Sequence, residues 1–522
     1  CAQRATLRNF MSQIRSPSPV RSPDSRASGS PSRRRSSARG EGVQLVREPY
    51  ELWTWGFGGH GALGNQAFRD ELLPFLVSSL RAHGGTLLVA CGHDHTVAVT
   101  GDLKARGWGR AQEGQLGVGA AEQLESPRGV SSVVAPALMS VCRGETAVSV
   151  QAIAAGGLHT MLITQPRSSA ERRVVYAMGR STDGQLGAGK EVLERETGGE
   201  AQLVAMPSAS AVPSLVGCGG LHSALVSEHG GLYTWGSTSL GQTGHPTTLP
   251  CPRPVLLNSE TWEGRMEKEG SRVIQVSAAD EGGKTFNVRC KRGAPLQVSC
   301  ISCGAYHTAA CTVEGELFAW GANGSGQLGL GDRRDRPFPH QVRGFDGPGT
   351  MLLQVACGGK HTLALTQKSE AWSWGSNEHR QLGRRDAHGD GGLRPRVVEL
   401  PSDCRVVLIA AGGAHSAVVA ADGAVVTWGK NQNGQLGYGH AHPTERPAPV
   451  KALPPRAIWV ACGGAHTAAL VRLPASSSAG GVTDRRASMG GGSPEAGRRS
   501  SAADWRTSLE RRSSTGATIA SM

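Results

Sequence analysis

No apolar run in this 522-residue chain approaches the roughly 18–20 residues needed to cross a bilayer, and the N-terminus lacks the apolar stretch of a secretory leader. A soluble intracellular protein, cytoplasmic or nuclear and without membrane partners, is the expectation. Catalytic signatures are missing as well. Gly283-Lys284-Thr285 ends like a phosphate-binding loop, but the signature needs a glycine at the position held by Ala278. Cys300 and Cys303 stand at Cys-x-x-Cys spacing, yet no second pair follows at zinc spacing. Outside repeated positions no Ser/His/Asp or Cys/His set stands out. Neither an enzyme, nor a cofactor, nor a metal site is therefore expected. Aromatics other than tryptophan are scarce, with 8 Phe and 5 Tyr against 11 Trp, while glycine reaches 73. That balance favours many short strands joined by turns over long helices. The first residue is Cys1, which fits a piece of a longer protein, with Met11 an internal candidate start.

A net charge of +13 would read as a nucleic-acid signature if it were spread evenly. It is concentrated at the ends. Residues 1–47 hold ten arginines against Asp24 and Glu41, for +8, and residues 474–522 hold seven arginines against four acids, for +3, leaving +2 between them. Both end segments are rich in Ser, Arg and Pro or Gly and cannot bury enough apolar surface to fold, so they are expected to be disordered tails with affinity for polyanions. Arg33, Arg34 and Arg35 before Ser36, and Arg485 and Arg486 before Ser488, resemble sites of basophilic kinases, while Ser16, Ser18, Ser22, Ser30 and Ser493 each precede proline. Phosphorylation there would cancel local positive charge and switch polyanion binding off.

Between the tails one unit recurs seven times. The segment Val355-Ala-Cys-Gly-Gly-Lys-His361-Thr-Leu-Ala-Leu-Thr366 has copies at 89–100, 153–164, 215–227, 301–312, 409–420 and 460–471. A second segment, Leu317-Phe-Ala-Trp-Gly321 followed by Gly326-Gln-Leu-Gly329, recurs with Trp55, Trp108, Trp235, Trp320, Trp374 and Trp428, and with Met178 as the one substitute. From His95 to Trp108, His222 to Trp235, His307 to Trp320, His361 to Trp374 and His415 to Trp428 the interval is constant at 13. A constant interval between two strand-like runs implies a hairpin of fixed register, turning at glycines such as Gly315 and Gly423. Leu363 and Leu365 should face one way and Thr362 and Ala364 the other. The Gly-Gln-Leu-Gly element reads as a turn that returns its leucine to the core.

Each repeat thus supplies about four short strands, one blade of a propeller. The first copy begins mid-unit at Leu52 and the last stops mid-unit after Leu470, so the missing half at one end is the half left over at the other. Pairing the two ends would remove both exposed edges. The expectation is an all-β, seven-bladed β-propeller over residues 48–473, closed by its terminal strands, monomeric, with a long insertion at about 258–297 in the fourth blade. Within that insertion, residues 276–286 faintly echo the histidine segment without its histidine.

Cys-Gly-Gly-x-His-Thr, x-x-Trp-Gly and Gly-Gln-Leu-Gly in this order resemble the repeat of the regulator of chromosome condensation family across residues 50–473. The resemblance implies a seven-bladed propeller. It also implies one of several roles: an exchange factor for the small GTPase Ran, a chromatin binder, a plant ultraviolet receptor or a scaffold within larger proteins. In the family the variable pair inside each Gly-x-x-His turn lines one face of the ring, and in the exchange factor several of these residues are acidic. Here the pairs are His93-Asp94, Gly157-Leu158, Gly220-Leu221, Ala305-Tyr306, Gly359-Lys360, Gly413-Ala414 and Gly464-Ala465. Only Asp94 is acidic, no counterpart of the exchange factor's wedge hairpin follows a Trp-Gly pair, and the receptor's tryptophans are absent from the turn.

A non-enzymatic interaction scaffold that binds proteins through its loops and tails is thus the leading expectation, with exchange on a Ran-type GTPase and chromatin binding as the alternative. His93, Asp94, Tyr306 and Lys360 are the candidate partner-facing residues. Seven histidines at one repeat position (His95, His159, His222, His307, His361, His415, His466) could suggest a metal ring, but metal ligands must converge within about 2–2.5 Å of one ion, and repetition around an axis keeps these apart. They are expected to be structural, each buried and hydrogen-bonded to backbone. Cys91, Cys218, Cys303, Cys357 and Cys462 share a slot that Ala155 and Ala411 fill elsewhere, so that slot calls for a small buried side chain.

Overall fold

The computed structural model describes residues 50–473, apart from 120–121, 143–147, 167–171, 194–198, 246, 248, 258–271, 277–285, 291–296, 346, 348 and 386–390. Among the described residues the architecture is all-β, with helical pieces confined to short 3-10 turns and one four-residue helix, Lys190–Leu193. Successive repeats form four-stranded antiparallel sheets. One runs Val298–Cys303, His307–Thr312, Leu317–Gly321, Arg336–Val342; the next runs Leu352–Cys357, His361–Thr366, Ala371–Gly375, Arg396–Val397. The constant interval seen in the sequence is the register of the central hairpin, in which His361 lies opposite Gly375 and Thr362 opposite Trp374. His307 and Gly321, and His415 and Gly429, pair in the same way. Where Met178 replaces tryptophan the hairpin is longer, yet His159 still faces Gly179.

The first strand, Tyr50–Gly56, pairs antiparallel with the last, His466–Arg472, from Tyr50 opposite Arg472 to Gly56 opposite His466. A single further bridge, Tyr50 to Thr86, links these strands to the next sheet. The insertion contributes a hairpin pairing Arg272–Val276 with Phe286–Cys290. The echo at 276–286 and Gly283-Lys284-Thr285 otherwise lie outside the described residues.

Strand His361–Thr366 is buried on both faces. Leu363 and Leu365 pack with Val406, Val418 and Trp428 of the following repeat, whereas Ala364 packs with Leu352, Val355 and Trp374 in a cluster shared with Ala309 and Cys311 of the preceding one. The alternation in the sequence therefore separates two cores, because each sheet is covered by a neighbour on either side. Full burial of such a leucine contributes about 1.5–3 kcal/mol.

The Trp-Gly and Gly-Gln-Leu-Gly elements meet across repeats. Trp374 Nε1 donates to the Gln327 carbonyl of the preceding repeat (2.9 Å), and Trp235, Trp320, Trp428 and Trp55 donate likewise to Gln185, Gln242, Gln381 and Gln435. Gly329, at φ +74°, lies under the Trp374 ring, where a Cβ would come within 2.9 Å of Nε1. Leu328 is returned to the core at 0% exposure. Met178 has no such donor, which is the structural cost of the one substitution in the series.

Candidate partner-binding face

The seven Gly-x-x-His turns meet around one opening. It is a cavity of about 130 Å³ lined by the cysteine or alanine and the two residues after it from every repeat. The turns are stitched by backbone bonds in which His93, Gly157, Gly220, Ala305, Gly359, Gly413 and Gly464 donate to Gly156, Gly219, Gly304, Gly358, Gly412, Gly463 and Gly92. The first glycine of each turn has no room for a side chain. A Cβ at Gly358 would stand 2.4 Å from His361 Cε1 and 2.5 Å from the Gly412 carbonyl.

All seven repeat histidines are fully buried. Their partners are not backbone atoms, as the sequence reading expected, but hydroxyls of the next repeat. His95 bonds Thr160 (2.9 Å), His159 Ser223 (2.8 Å), His222 Thr308 (2.8 Å), His307 Thr362 (2.9 Å), His361 Ser416 (2.9 Å) and His415 Thr467 (3.0 Å). His466 of the last repeat reaches Thr96 of the first (3.0 Å). Thr362 Oγ1 donates its proton to the Gln327 carbonyl (2.8 Å), and Ser223, Thr308, Ser416 and Thr467 do the same to their own glutamine carbonyls. Where the hydroxyl's proton is committed in this way it can only accept, so the imidazole donates from Nε2. Burial depresses these histidines to about 3 at His95, His222, His307 and His415, and to about 4 at His159, His361 and His466.

The repeated cysteines line the opening. Cys218 and Cys357 are buried and Cys91, Cys303 and Cys462 partly so, and burial raises the Cys91 and Cys357 thiols to about 12. Such thiols are poor nucleophiles. Among the described residues no group of three or more His, Cys, Asp or Glu could hold a metal ion, and no helix is long and apolar enough to cross a membrane.

Of the candidate partner-facing residues, His93, Tyr306 and Lys360 are exposed. Asp94 is not. Its carboxylate lies 2.9 Å from His93 Nδ1 with 13% of the side chain exposed, under an imidazole that is 66% exposed. Burial pushes the Asp94 carboxyl up, but the His93 hydrogen bond and the His93, His60 and His466 charges bring it below its ordinary value; the same bond raises His93. Sequence reasoning missed His60, which follows Trp55-Gly56. It is 7% exposed, stacks edge-on against Phe57 at 5.4 Å and is depressed by burial. Arg33, Arg34, Arg35, Ser36, Arg485, Arg486 and Ser488 lie outside the described residues.

Four-stranded antiparallel sheets whose inner turns converge on one opening make a β-propeller, a scaffold whose loops decide what it does. Models of known families match the chain directly: the regulator of chromosome condensation (RCC1) repeat over residues 51–99 and 107–163, and the RCC1-like domain over residues 282–469. The chain belongs to the regulator of chromosome condensation repeat family. The E3 ubiquitin-protein ligase HERC2 of Mus musculus is 29% identical over 428 residues, which cover 80% of this chain and 8% of that protein. The ultraviolet-B receptor UVR8 of Arabidopsis thaliana is 30% identical over 352 residues, 65% of this chain and 64% of the receptor. The chain therefore spans less than two thirds of either relative. Yeast RCC1 (Prp20), solved with Kap60, shares the fold at a TM-score of 0.64 and 20% identity, over 86% of this chain and 97% of that one.

Proposed function

We propose that the chain is a non-enzymatic interaction scaffold. Seven blades close into one ring through the terminal strands, the inner turns and adjoining loops receive protein partners, and the basic ends, residues 1–47 and 474–522, add affinity for polyanions. Closure is supported by the residue-for-residue pairing of Tyr50–Gly56 with His466–Arg472 and by the His466 to Thr96 bond. The observation that carries the functional reading is the make-up of the seven turn pairs, where the only acid, Asp94, is largely covered and already bonded by His93.

An exchange factor must bind the nucleotide-free GTPase more tightly than the loaded one, so it needs a surface that favours that state. A face mostly of glycine, alanine and leucine, with His93, Tyr306 and Lys360 and one acid already bonded by His93, offers little to do so. The chain is expected to accelerate release of a fluorescent guanine nucleotide from Ran weakly or not at all at micromolar protein. Stimulation by orders of magnitude that Asp94→Ala abolishes would overturn the scaffold reading.

The tails make a separate expectation. Counterion release scales with the phosphates neutralised, at about 0.9 log unit of affinity per contact per decade of salt. Removing residues 1–47, which carry +8, should weaken DNA binding and flatten its salt dependence, measured by titration at several salt concentrations. Equal DNA affinity with and without both tails would move the polyanion site onto the ring.

A further inference from the structure

Arg380 stands where the other six repeats have glycine. Gly61, Gly114, Gly184, Gly241, Gly326 and Gly434 hold φ of 76–79° at this position, and Arg380 holds 64°. L-residues adopt that region uncommonly, and such positions cluster at functional sites. The Arg380 side chain is exposed and, among the described residues, has no hydrogen-bond or ion-pair partner.

It is not alone. Lys360, Arg333, Arg334, Arg385 and Arg394 are also exposed, and among the described residues none of them pairs with a carboxylate. Their loops are tied together: Ser376 N donates to Lys360 O (2.8 Å), Gly375 N to Gly392 O (2.8 Å), Gly331 N to Leu393 O (3.0 Å) and Arg333 Nη1 to Gly324 O (3.0 Å). The acids on these loops are engaged. Asp332 accepts from Arg336 Nη2 (2.6 Å), Arg334 N (3.0 Å) and Asn323 Nδ2 (3.1 Å), Asp335 from Asn323 N (2.6 Å), and Glu399 from Arg385 N (3.0 Å). Glu378 is the one described acid there without such a bond. The Tyr306 turn adjoins the Lys360 turn through Ala305 N to Gly358 O (3.3 Å), and the Tyr306 side chain is exposed.

We infer that Arg333, Arg334, Lys360, Arg380, Arg385 and Arg394 form a docking site for an acidic protein segment, several Asp or Glu residues beside an apolar side chain that meets Tyr306. This names the partner class for the face used in the scaffold reading and rests on that reading. A protein segment fits better than a nucleic acid because the cations span only two adjoining repeats. Residues 48–473 carry just +2, so a long polyanion leaving the patch meets acids and bases in near balance.

Neither tail contains lysine, which provides the test. A Glu-rich peptide carrying one phenylalanine is incubated with the full chain and a carbodiimide, which couples carboxylates to neighbouring amines, and the adducts are mapped by mass spectrometry. Lys360 should dominate over the other eight lysines, Lys104, Lys190, Lys268, Lys284, Lys291, Lys368, Lys430 and Lys451. Arg333→Glu with Arg394→Glu should cut the Lys360 adduct about tenfold, and Arg380→Gly about threefold, as loss of one or two exposed charge contacts allows. Arg380→Gly should also keep or raise the melting temperature, since glycine suits that φ, so its loss of binding is not misfolding. Adducts spread evenly over the ring lysines, or a Lys360 adduct indifferent to charge reversal, overturn the site. A DNA duplex that displaces the peptide better than unlabelled peptide does overturns the partner class. Failure here with Ran release still unstimulated removes the patch and leaves the scaffold reading standing.

Discussion

The folded chain is expected to lose most of its stability between pH 6.5 and pH 5. The seven repeat histidines are depressed from 6.5 to about 3 or 4 by burial. Since the folded pKa lies below the unfolded one, the unfolded state binds more protons throughout the interval between them, and stability falls as pH falls. At pH 5 each histidine costs about 2 kcal/mol relative to neutral pH, and seven together cost on the order of 10 kcal/mol. That matches the whole stability of a typical domain, 5–15 kcal/mol in round terms. His93 works in the opposite sense because Asp94 raises it, but it is 66% exposed and cannot offset seven buried rings. Denaturant titrations at pH 7.5, 6 and 5 should show the midpoint collapsing, with uptake approaching seven protons on unfolding at the acid end. His361→Gln, which removes one titrating ring, should lower that uptake by one. A midpoint unchanged from pH 7.5 to pH 5 would mean that the histidines are solvated and their bonds to the neighbouring hydroxyls absent.

Much of this was legible in the chain because repetition shows what no single segment would. The interval from His361 to Trp374 is the hairpin register, and Leu328 goes to the core as its place between two glycines implies. The cross-repeat bonds were not legible. The hydroxyl beside each histidine looks like a strand residue facing solvent, and only the neighbouring sheet shows that Thr362 receives His307 and hands its proton to Gln327. The same holds for Trp374, whose indole finds its acceptor in the preceding repeat. Asp94 read as a free surface acid because its partner is the adjacent His93, a contact set by the shape of the turn and not by spacing. Arg380 breaks the Gly-Gln-Leu-Gly pattern, a departure the sequence reading did not single out, and its positive φ follows only from the backbone the other repeats impose.

Removal of residues 458–473 should unfold the entire ring and not one blade. The deletion takes away His466–Arg472, the partner of Tyr50–Gly56, and strips the cover from Trp55, which packs at 0% exposure with Leu408, Val460, Ala469 and Val471. It also breaks the His415 to Thr467 and His466 to Thr96 bonds. Five or six large apolar side chains lose their burial, on the order of 10 kcal/mol at about 2 kcal/mol each, and two sheet edges open. An open stack would behave otherwise, losing only the end unit and its one interface. The direct measurement is the thermal and denaturant unfolding of the truncated chain beside the full one, followed by near-ultraviolet circular dichroism from the six buried tryptophans. The closed ring requires that the truncated chain show no cooperative transition, or one displaced far below the full-length midpoint with the signal of all repeats lost together. A truncated chain that keeps the full-length midpoint, with amplitude reduced by about one repeat, would contradict it.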